Sequence, residues 1–202
     1  MASELFVDKI YPGPNSGTTV SVPTGYEIRA DKVLPNGGLP SGAVAGGILQ
    51  VVQTVKQDYQ SIDTTETDVI SATINLKHPS SKIMVCWNMN MGRGPDDYGY
   101  LKLFEGSTEV TACNGNSASG SRINALVSIS NRGAGNDQYL VSNHAGTYIH
   151  TPLVPGSSVT MKLRGKCTYG SNITVNGPQD TGDNTWSIRV ASMLHLYELY
   201  TP

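Results

Sequence analysis

The sequence predicts an all-β fold of about eight to ten strands, which is in the range of β-sandwiches and jelly rolls. Of its 202 residues only 15% are charged, whereas 22 are glycine and 11 are proline, and this composition suits short strands joined by turns better than helices. Apolar and polar residues alternate with period two in many short segments from residue 48 onward. Turn-forming clusters, such as residues 78–81 (HPSS) and 155–157 (PGS), separate these segments.

The clearest alternating segment is SVTMKLRGKCTY, residues 158–169. Alternate positions from Val159 to Cys167 are apolar or glycine, so we expect that face in the core, and the positions from Thr160 to Lys166 should face solvent. Residues 82–91 have the same pattern, with apolar side chains at the odd positions. Further apolar files are predicted at 70–76, 123–129 and 186–196, with weaker strands near 48–55, 98–104, 138–142, 147–153 and 171–176.

Several strands also carry apolar residues on the face opposite their main file, which a solvated surface would seldom do. These residues are Met84, Cys86, Leu126, Met193, Tyr197 and Leu199. Their burial between three symmetric copies is the simplest explanation, so we expect a homotrimer. A second layer inside one subunit is the alternative.

Residues 1–47 differ in composition from the rest of the chain. They contain five prolines, glycine-rich joints and only short β-like runs at 5–10 and 18–22, so this segment should not bury enough surface to fold alone. We predict an extended arm and linker at 1–47 and one domain at 48–202. The apolar residues of the two runs are candidate anchors to a partner protein: Phe6, Val7, Ile10, Val20 and Val22.

Charge and cysteine content exclude several classes of protein. With 14 basic and 16 acidic residues the formal net charge is −2, so nucleic acid is not an expected partner. No run of about 18 apolar residues occurs, and the N-terminus does not read as a signal peptide, so we expect no membrane insertion and synthesis in the cytosol. Three cysteines without a Cys-x-x-Cys pair predict reduced thiols.

No catalytic or metal motif is present. The stretch GNSASG (115–120) lacks the spacing of a nucleophile elbow, and the four histidines lack metal-ligand spacing. Asp96 and Asp97 are adjacent, so their carboxylates should diverge on a turn instead of flanking a glycosidic bond. We therefore predict a protein that is not an enzyme and has neither a cofactor nor a metal.

The segment around residues 93–100 is the one candidate for ligand contact. It combines charged hydrogen-bonding groups with aromatic rings on an expected exposed turn, a mixture that suits a sugar or protein ligand. The alternative is a solvated turn leading into a strand whose tyrosines pack at a subunit interface. The candidate residues are Arg93, Asp96, Asp97, Tyr98 and Tyr100.

Three stretches resemble, in their order, a family of phage virion proteins found among short-tailed and other marine tailed phages. They are LQVVQTVKQD (49–58), HPSSKIMVCWNMN (78–90) and NTWSIRVASMLHLYEL (184–199), and the arm segments FVDKI (6–10) and TVSVPTGYEI (19–28) resemble the leading segments of the same family. The resemblance covers the chain from the linker to the end. It is a spacing of strand signatures, which bears on fold and setting more than on any site.

The resemblance implies a jelly-roll head similar to those of tumour necrosis factor and C1q, usually trimeric and carried on phage tail fibres, knobs or capsid surfaces. This chain has no long shaft before the head, which favours a short knob or decoration protein. We therefore expect a virion structural protein, assembled in the host cytoplasm, whose arm binds other virion proteins of the capsid, collar or tail. The alternative is a receptor-binding adhesin whose distal loops recognise a host surface glycan or protein.

Overall fold

Two antiparallel β-sheets pack face to face in the computed structural model, which describes residues 47–94, 96–116, 121–130, 139–182, 185 and 187–201. The fold is therefore an all-β sandwich, as the sequence predicts, and its strands alternate between the two layers along much of the chain. The strands are β1 (Ile48–Lys56), β2 (Gln60–Ile62), β3 (Thr67–Asn75), β4 (Lys82–Arg93), β5 (Tyr98–Glu105), β6 (Thr108–Glu109), β7 (Val127–Ile129), β8 (Val141–His150), β9 (Ser158–Tyr169), β10 (Ile173–Val175) and β11 (Ser192–Leu199).

The first sheet is built around β4. One edge of β4 pairs with β11 over residues 82–88 and then with β10 over residues 91–93, and the other edge pairs with β8 over residues 83–92. β1 continues the sheet beyond β11, and β2 continues it beyond β10. The main body of this sheet thus has the order β1-β11-β4-β8.

The second sheet has the order β3-β9-β5, and the far edge of β5 is shared between β6 and β7. A short 3-10 helix, Thr111–Cys113, follows β6. No helix in the described part of the chain is long and apolar enough to cross a membrane.

Side chains of alternating parity fill the space between the sheets. In β4 the odd residues from Ile83 to Met91 are buried, and in β9 the odd residues from Val159 to Cys167 are buried, whereas the even residues of β9 from Thr160 to Lys166 are partly exposed. Both predicted core files are confirmed. Fully burying one such aliphatic side chain stabilises the fold by roughly 1.5–3 kcal/mol.

One close approach in the core depends on a glycine. Trp87 of β4 lies directly opposite Gly146 of β8, and its indole covers the glycine so closely that an added Cβ atom would lie 2.3 Å from Cζ2. Only a residue without a side chain fits beneath the ring, so Gly146 sets the position of Trp87.

A buried asparagine joins the strands where β10 replaces β11 beside β4. The Asn176 side-chain amide donates to the backbone carbonyls of Lys56 (2.8 Å) and Asp58 (3.0 Å), and its carbonyl oxygen accepts from the Ser192 hydroxyl (2.6 Å). Its backbone N–H donates to the carbonyl of Asn90 (2.9 Å), and its φ is +64°. Asparagine tolerates this left-handed conformation better than most residues, which suits it to the junction.

The structure corrects three sequence predictions of strands. Of the strand predicted at 123–129, residues 123–126 are not in a strand and only 127–129 pair, as β7. Residues 187–190 lie outside any strand, and Ile188 is 64% exposed, so the last strand begins only at Ser192. The two strands predicted at 138–142 and 147–153 are one continuous strand, β8.

The predicted arm and its anchor residues Phe6, Val7, Ile10, Val20 and Val22 lie outside the described residues, as does Trp186. The three cysteines form no disulfide with one another, and Cys167 is buried.

Candidate interaction surface

The outward side of the first sheet carries almost no charge across four adjacent strands. In an antiparallel pair, directly opposite residues point to the same side of the sheet. Because Val85, Leu194 and Leu196 point into the core, the residues between them point outward. We call this side the uncharged face, and it consists of Val51, Gln53, Val55, Met84, Cys86, Asn88, Asn90, Asn143, Ala145, Thr147, Ile149, Met193, His195, Tyr197 and Leu199.

The upper part of the uncharged face is apolar. One continuous row across β1, β11, β4 and β8 consists of Val51, Tyr197, Met84 and Ile149. Val51 and Ile149 are each 53% exposed, and the other two are partly exposed. The nearest charge on this side is Lys82, at the margin beside Leu199.

The middle row of the uncharged face is polar and contains no carboxylate, ammonium or guanidinium group. Its members, side by side on the four strands, are Gln53, His195, Cys86 and Thr147. The His195 ring stacks on Tyr197 of the row above, with 6.2 Å between ring centroids. The Thr147 hydroxyl donates to the Cys86 sulfur at 3.5 Å. The Gln53 side-chain amide donates to the Met193 sulfur of the same face at 3.8 Å. No carboxylate or ammonium group belongs to this row of the described strands.

Amide side chains occupy the lower margin of the face. The Asn143 amide nitrogen on β8 donates to the side-chain oxygens of Asn88 and Asn90 on β4, the latter at 3.0 Å. These cross-strand bonds fix the rotamers of the three residues, and they leave further amide groups for a partner.

The outward side of the second sheet is charged, which makes it a useful comparison. Lys162 Nζ and Arg164 Nε contact the two oxygens of Asp68 at 2.7 and 2.5 Å, and Lys102 Nζ contacts Glu109 at 3.0 Å. The hydrogen bond from Lys162 lowers the pKa of Asp68, an effect that desolvation opposes and Arg164 reinforces. This is an ordinary solvated face.

The contrast between the two sheets indicates what the uncharged face can do. A contiguous apolar area rimmed by polar groups is typical of a surface that another protein covers, and protein interfaces are depleted of charged residues at their centres. The face is therefore the candidate functional site, as a surface for association.

Sequence reasoning identified part of this surface. Met84, Cys86, Met193, Tyr197 and Leu199 do share the outward side of the first sheet. Leu126 does not, because its backbone N–H donates to the Leu101 carbonyl of the second sheet and its side chain packs against the core. Val51, Val55 and Ile149 were missed, and the signal that could have found them is their parity opposite Val52 of β1 and His150 of β8, which point inward.

The candidate ligand segment is not the exposed turn that the sequence predicts. Asp97 is 2% exposed, and its carboxylate accepts the backbone N–H groups of Gly94 (3.0 Å) and Ser171 (2.7 Å) and the side-chain amide of Gln179 (2.8 Å). The carboxylate thus holds three loop segments together at one end of the sandwich. A carboxylate so fully bonded positions the loops, and it does not face solvent.

Arg93 and Tyr100 are also buried, which corrects the expectation that they are exposed. Arg93 is 8% exposed, and its Nη1 donates to the Ser142 hydroxyl at 3.5 Å. The Tyr100 hydroxyl donates to Glu66 at 3.2 Å, and burial together with this carboxylate raises its pKa to about 12. Both side chains point away from the turn because they lie within strands whose pairing fixes their direction.

The remaining two candidates lie at the surface, beside a residue that sequence reasoning missed. Asp96 is exposed with φ of +61°, and Tyr98 is partly exposed. The Tyr98 ring makes an edge contact with Tyr169, which is 66% exposed, at 5.8 Å between centroids. A register shift between Tyr98 and Gly99 turns Tyr169 outward, although simple alternation along β9 predicts that it is buried.

Two other buried or nearly buried carboxylates also bind backbone groups. Glu198 is 0% exposed and accepts the N–H groups of Lys77 (2.7 Å) and His78 (3.0 Å). Glu105 contacts His150 Nε2 at 2.6 Å and so ties β5 of the second sheet to β8 of the first. These contacts explain both carboxylates as parts of the fold.

Within the ranges that the structure describes, no group of three or more His, Cys, Asp or Glu side chains is arranged to hold a metal ion. No protein-family model and no curated protein matches the chain.

Proposed function

We propose that this chain is a non-enzymatic structural protein of a phage virion, a short knob or decoration protein. Its head associates with other copies, as a trimer, through the uncharged face, and residues 1–47 attach it to other proteins of the particle. The observation that carries the proposal is that four neighbouring strands of one sheet present outward only one charged side chain, Lys82 at the margin, whereas the outward side of the second sheet carries several ion pairs.

The strand order supports a jelly-roll assignment for the head. The first and last long strands, β1 and β11, are neighbours in one sheet, and the orders β1-β11-β4-β8 and β3-β9-β5-β6 require repeated crossings between layers. This arrangement is consistent with the heads of the virion family that the sequence resembles. Fold alone does not decide function, so the particle role depends on the resemblance and on the face together.

The arm supplies the attachment in this proposal. A segment rich in proline and glycine gains order when it adds strands or extended contacts to a neighbouring protein, which couples its ordering to assembly. We expect residues 1–47 to be dispensable for association of the head and necessary for attachment to the particle.

Incorporation into particles tests the proposal. The full chain and a variant lacking residues 1–40 are each supplied during phage assembly, and quantitative mass spectrometry measures their copies in purified particles. We expect the full chain in the particles and the shortened chain, with an unchanged number of subunits in its oligomer, absent from them. Equal incorporation of both would refute the role of the arm, and absence of both would refute the virion role.

A second function is favoured by the exposed tyrosine pair. The ring pair of Tyr98 and Tyr169, with Asp96 two residues before Tyr98, presents aromatic and acidic groups at a loop end that the buried Asp97 carboxylate holds rigid. Such a site suits a host surface glycan or protein. Replacing Tyr98 and Tyr169 by serine and measuring adsorption to host cells tests this adhesin role, since unchanged adsorption means that the loop is only structural.

A further inference from the structure

The outer edge of the first sheet is formed by β8, a long strand with none of the usual protection against further pairing. It runs for ten residues, from Val141 to His150, pairs with β4 without a register shift, and has no second partner among the described strands. It contains no Lys, Arg, Asp, Glu or Pro. Natural sheets normally protect such edges with charge, proline, bulges or short length.

The other strands with a single partner in the described part of the chain have that protection. β2, β6 and β7 are only two or three residues long. β1 has a register shift between Ile48 and Gln50 and ends at Lys56, and β3 has a shift between Asp68 and Ile70 beside the charged Asp68. Among the described strands, only β8 combines length with an unprotected edge.

The hydrogen bonds of Asn90 on β4 show which backbone groups of β8 point to the open edge. The Asn90 N–H donates to the Ser192 hydroxyl (2.9 Å) and its carbonyl accepts the N–H of Asn176 (2.9 Å), so both groups point away from β8. In an antiparallel pair, opposite residues alternate between exchanging two hydrogen bonds and exchanging none. Asn143, opposite Asn90, is therefore in a non-bonded pair, and its N–H and carbonyl point to the open edge. The same holds for alternate residues along 141–149, and no backbone group in the described part of the chain bonds to them there.

We propose that β8 pairs with β8 of a second copy, antiparallel, so that two heads join edge to edge. A strand cannot pair with itself within one chain, so the partner is necessarily a second copy. Self-pairing about a twofold axis occupies both open edges and closes the assembly, whereas pairing of β8 with a different edge strand would leave an open edge at each end. Since β8 has no carboxylate, ammonium or guanidinium group, no like charges meet in the pair.

Side-chain chemistry selects one register for this pair. With Ala145 on the twofold axis, Asn143 lies opposite Thr147 of the second copy, and Val141 lies opposite Ile149. Polar side chains then meet polar ones and β-branched side chains meet each other, which are favourable cross-strand pairs. A slip of two residues places either Asn143 opposite Ile149 or Val141 opposite Thr147, and a slip of one places outward residues opposite inward ones.

The edge contact is independent of the association proposed for the uncharged face. In the register centred on Ala145, paired residues have the same parity, so the uncharged faces of both copies lie on the same side of one continuous sheet. The pairing occupies backbone groups and leaves the side chains of that face available. A substitution can therefore remove one contact and keep the other.

Hydrogen exchange on the full chain tests the pairing, and β8 supplies its own control. Ala145→Pro removes one N–H from the open edge and none from the side of β4, a placement that edge strands tolerate. At high protein concentration, we expect the amides of Asn143 and Thr147 to exchange on the order of tenfold or more slowly in the native chain than in Ala145→Pro. The amides of His144 and Tyr148, which point to β4, should exchange alike in both chains. Equal exchange of Asn143 and Thr147 in the two chains would overturn the proposal.

Cysteine crosslinking tests the register without a proline. In a chain with serine in place of Cys86 and Cys113, Ala145→Cys should place two thiols opposite each other across the axis, whereas Asn143→Cys places them roughly 14 Å apart along the strands. With a short thiol-reactive crosslinker, we expect a two-chain product on a denaturing gel from Ala145→Cys and none from Asn143→Cys. Equal yields from both variants, or no product from Ala145→Cys, would refute the pairing in this register.

Adding Met84→Lys to the Ala145→Cys chain separates the edge contact from association through the face. The lysine places a charge on the uncharged face and leaves the open edge of β8 as it is. We expect the two-chain product to persist, because position 84 takes no part in the edge contact. Loss of the product would show that the link belongs to the face and would refute edge pairing, whereas single native subunits linked only through position 145 would refute the face and leave the edge contact standing.

Discussion

Placing a positive charge at the centre of the uncharged face should weaken association without unfolding the subunit. Met84 lies on β4, between Tyr197 on β11 and Ile149 on β8, and is partly exposed in the single chain. A lysine at this position can extend its ammonium group into water while the subunit is alone. In the assembly, the same group loses that water.

The size of the effect follows from the surroundings of position 84. The only charged side chain on this side of the four strands is Lys82, which has the same sign, so the ammonium group gains no carboxylate partner from these strands. Desolvating an unpaired charge costs several kcal/mol, and partial escape of the long side chain reduces this to about 2 kcal/mol per contact. At about 1.4 kcal/mol per factor of ten, the dissociation constant should rise roughly 30-fold.

Analytical ultracentrifugation over a concentration series measures this shift. Asn75→Lys is the matched control, because Asn75 is exposed on β3 on the outward side of the second sheet. We expect the control to associate as the native chain does and both variants to keep the thermal midpoint of the subunit within a few degrees. Met84→Lys that associates as tightly as Asn75→Lys would refute the reasoning.

Three further predictions concern stability. Gly146→Ala should destabilise the chain by about 2 kcal/mol, because the added Cβ would collide with the Trp87 indole. Calorimetry should show a thermal midpoint lowered by roughly 4–8 °C. The control Gly115→Ala, whose added Cβ would meet no atom closer than 3.9 Å, should leave the midpoint unchanged. Asn176→Gly permits the left-handed backbone conformation and deletes the side-chain hydrogen bonds, so denaturant titration should show a free energy of unfolding lower by about 2–3 kcal/mol. A decrease below about 0.5 kcal/mol would mean that these bonds do not stabilise the junction. Burial, with a smaller contribution from Arg93, lowers the pKa of His144 below its ordinary value of 6.5. As the pH falls, the unfolded chain therefore binds a proton at His144 before the folded chain does. The stability contributed by neutral His144 is complete above pH 6.5 and should decline as the pH falls below it. His144→Gln should remove that part of the pH dependence, and an unaltered profile would contradict the assignment.

The layers and the core could be predicted from the sequence because strand parity is a local property. Alternation in β4 and β9 identified which residues are buried without any knowledge of their neighbours. Alternation failed where the pairing is irregular. Tyr169 is exposed because the register shifts beside Tyr98, and a shift depends on the partner strand, which the local sequence does not specify.

The candidate surface was only partly predictable for the same reason. Opposite-face apolar residues could be recognised strand by strand, but their union into one uncharged face depends on β1, β11, β4 and β8 being neighbours. The ligand segment was misjudged because a turn-like sequence suggests exposure, whereas the Asp97 carboxylate is buried by bonds to Ser171 and Gln179, which are more than seventy residues away in the chain. Long-range partners of this kind leave no mark in local composition.

The mass of the native chain in solution is the most direct test of an associating face. Sedimentation equilibrium over a wide concentration range, at neutral pH and moderate salt, reports that mass without any variant. The expected result is a species of three times the 21.5 kDa subunit that persists on dilution. A single 21.5 kDa species at the highest concentration reached would contradict the association of copies through the first sheet.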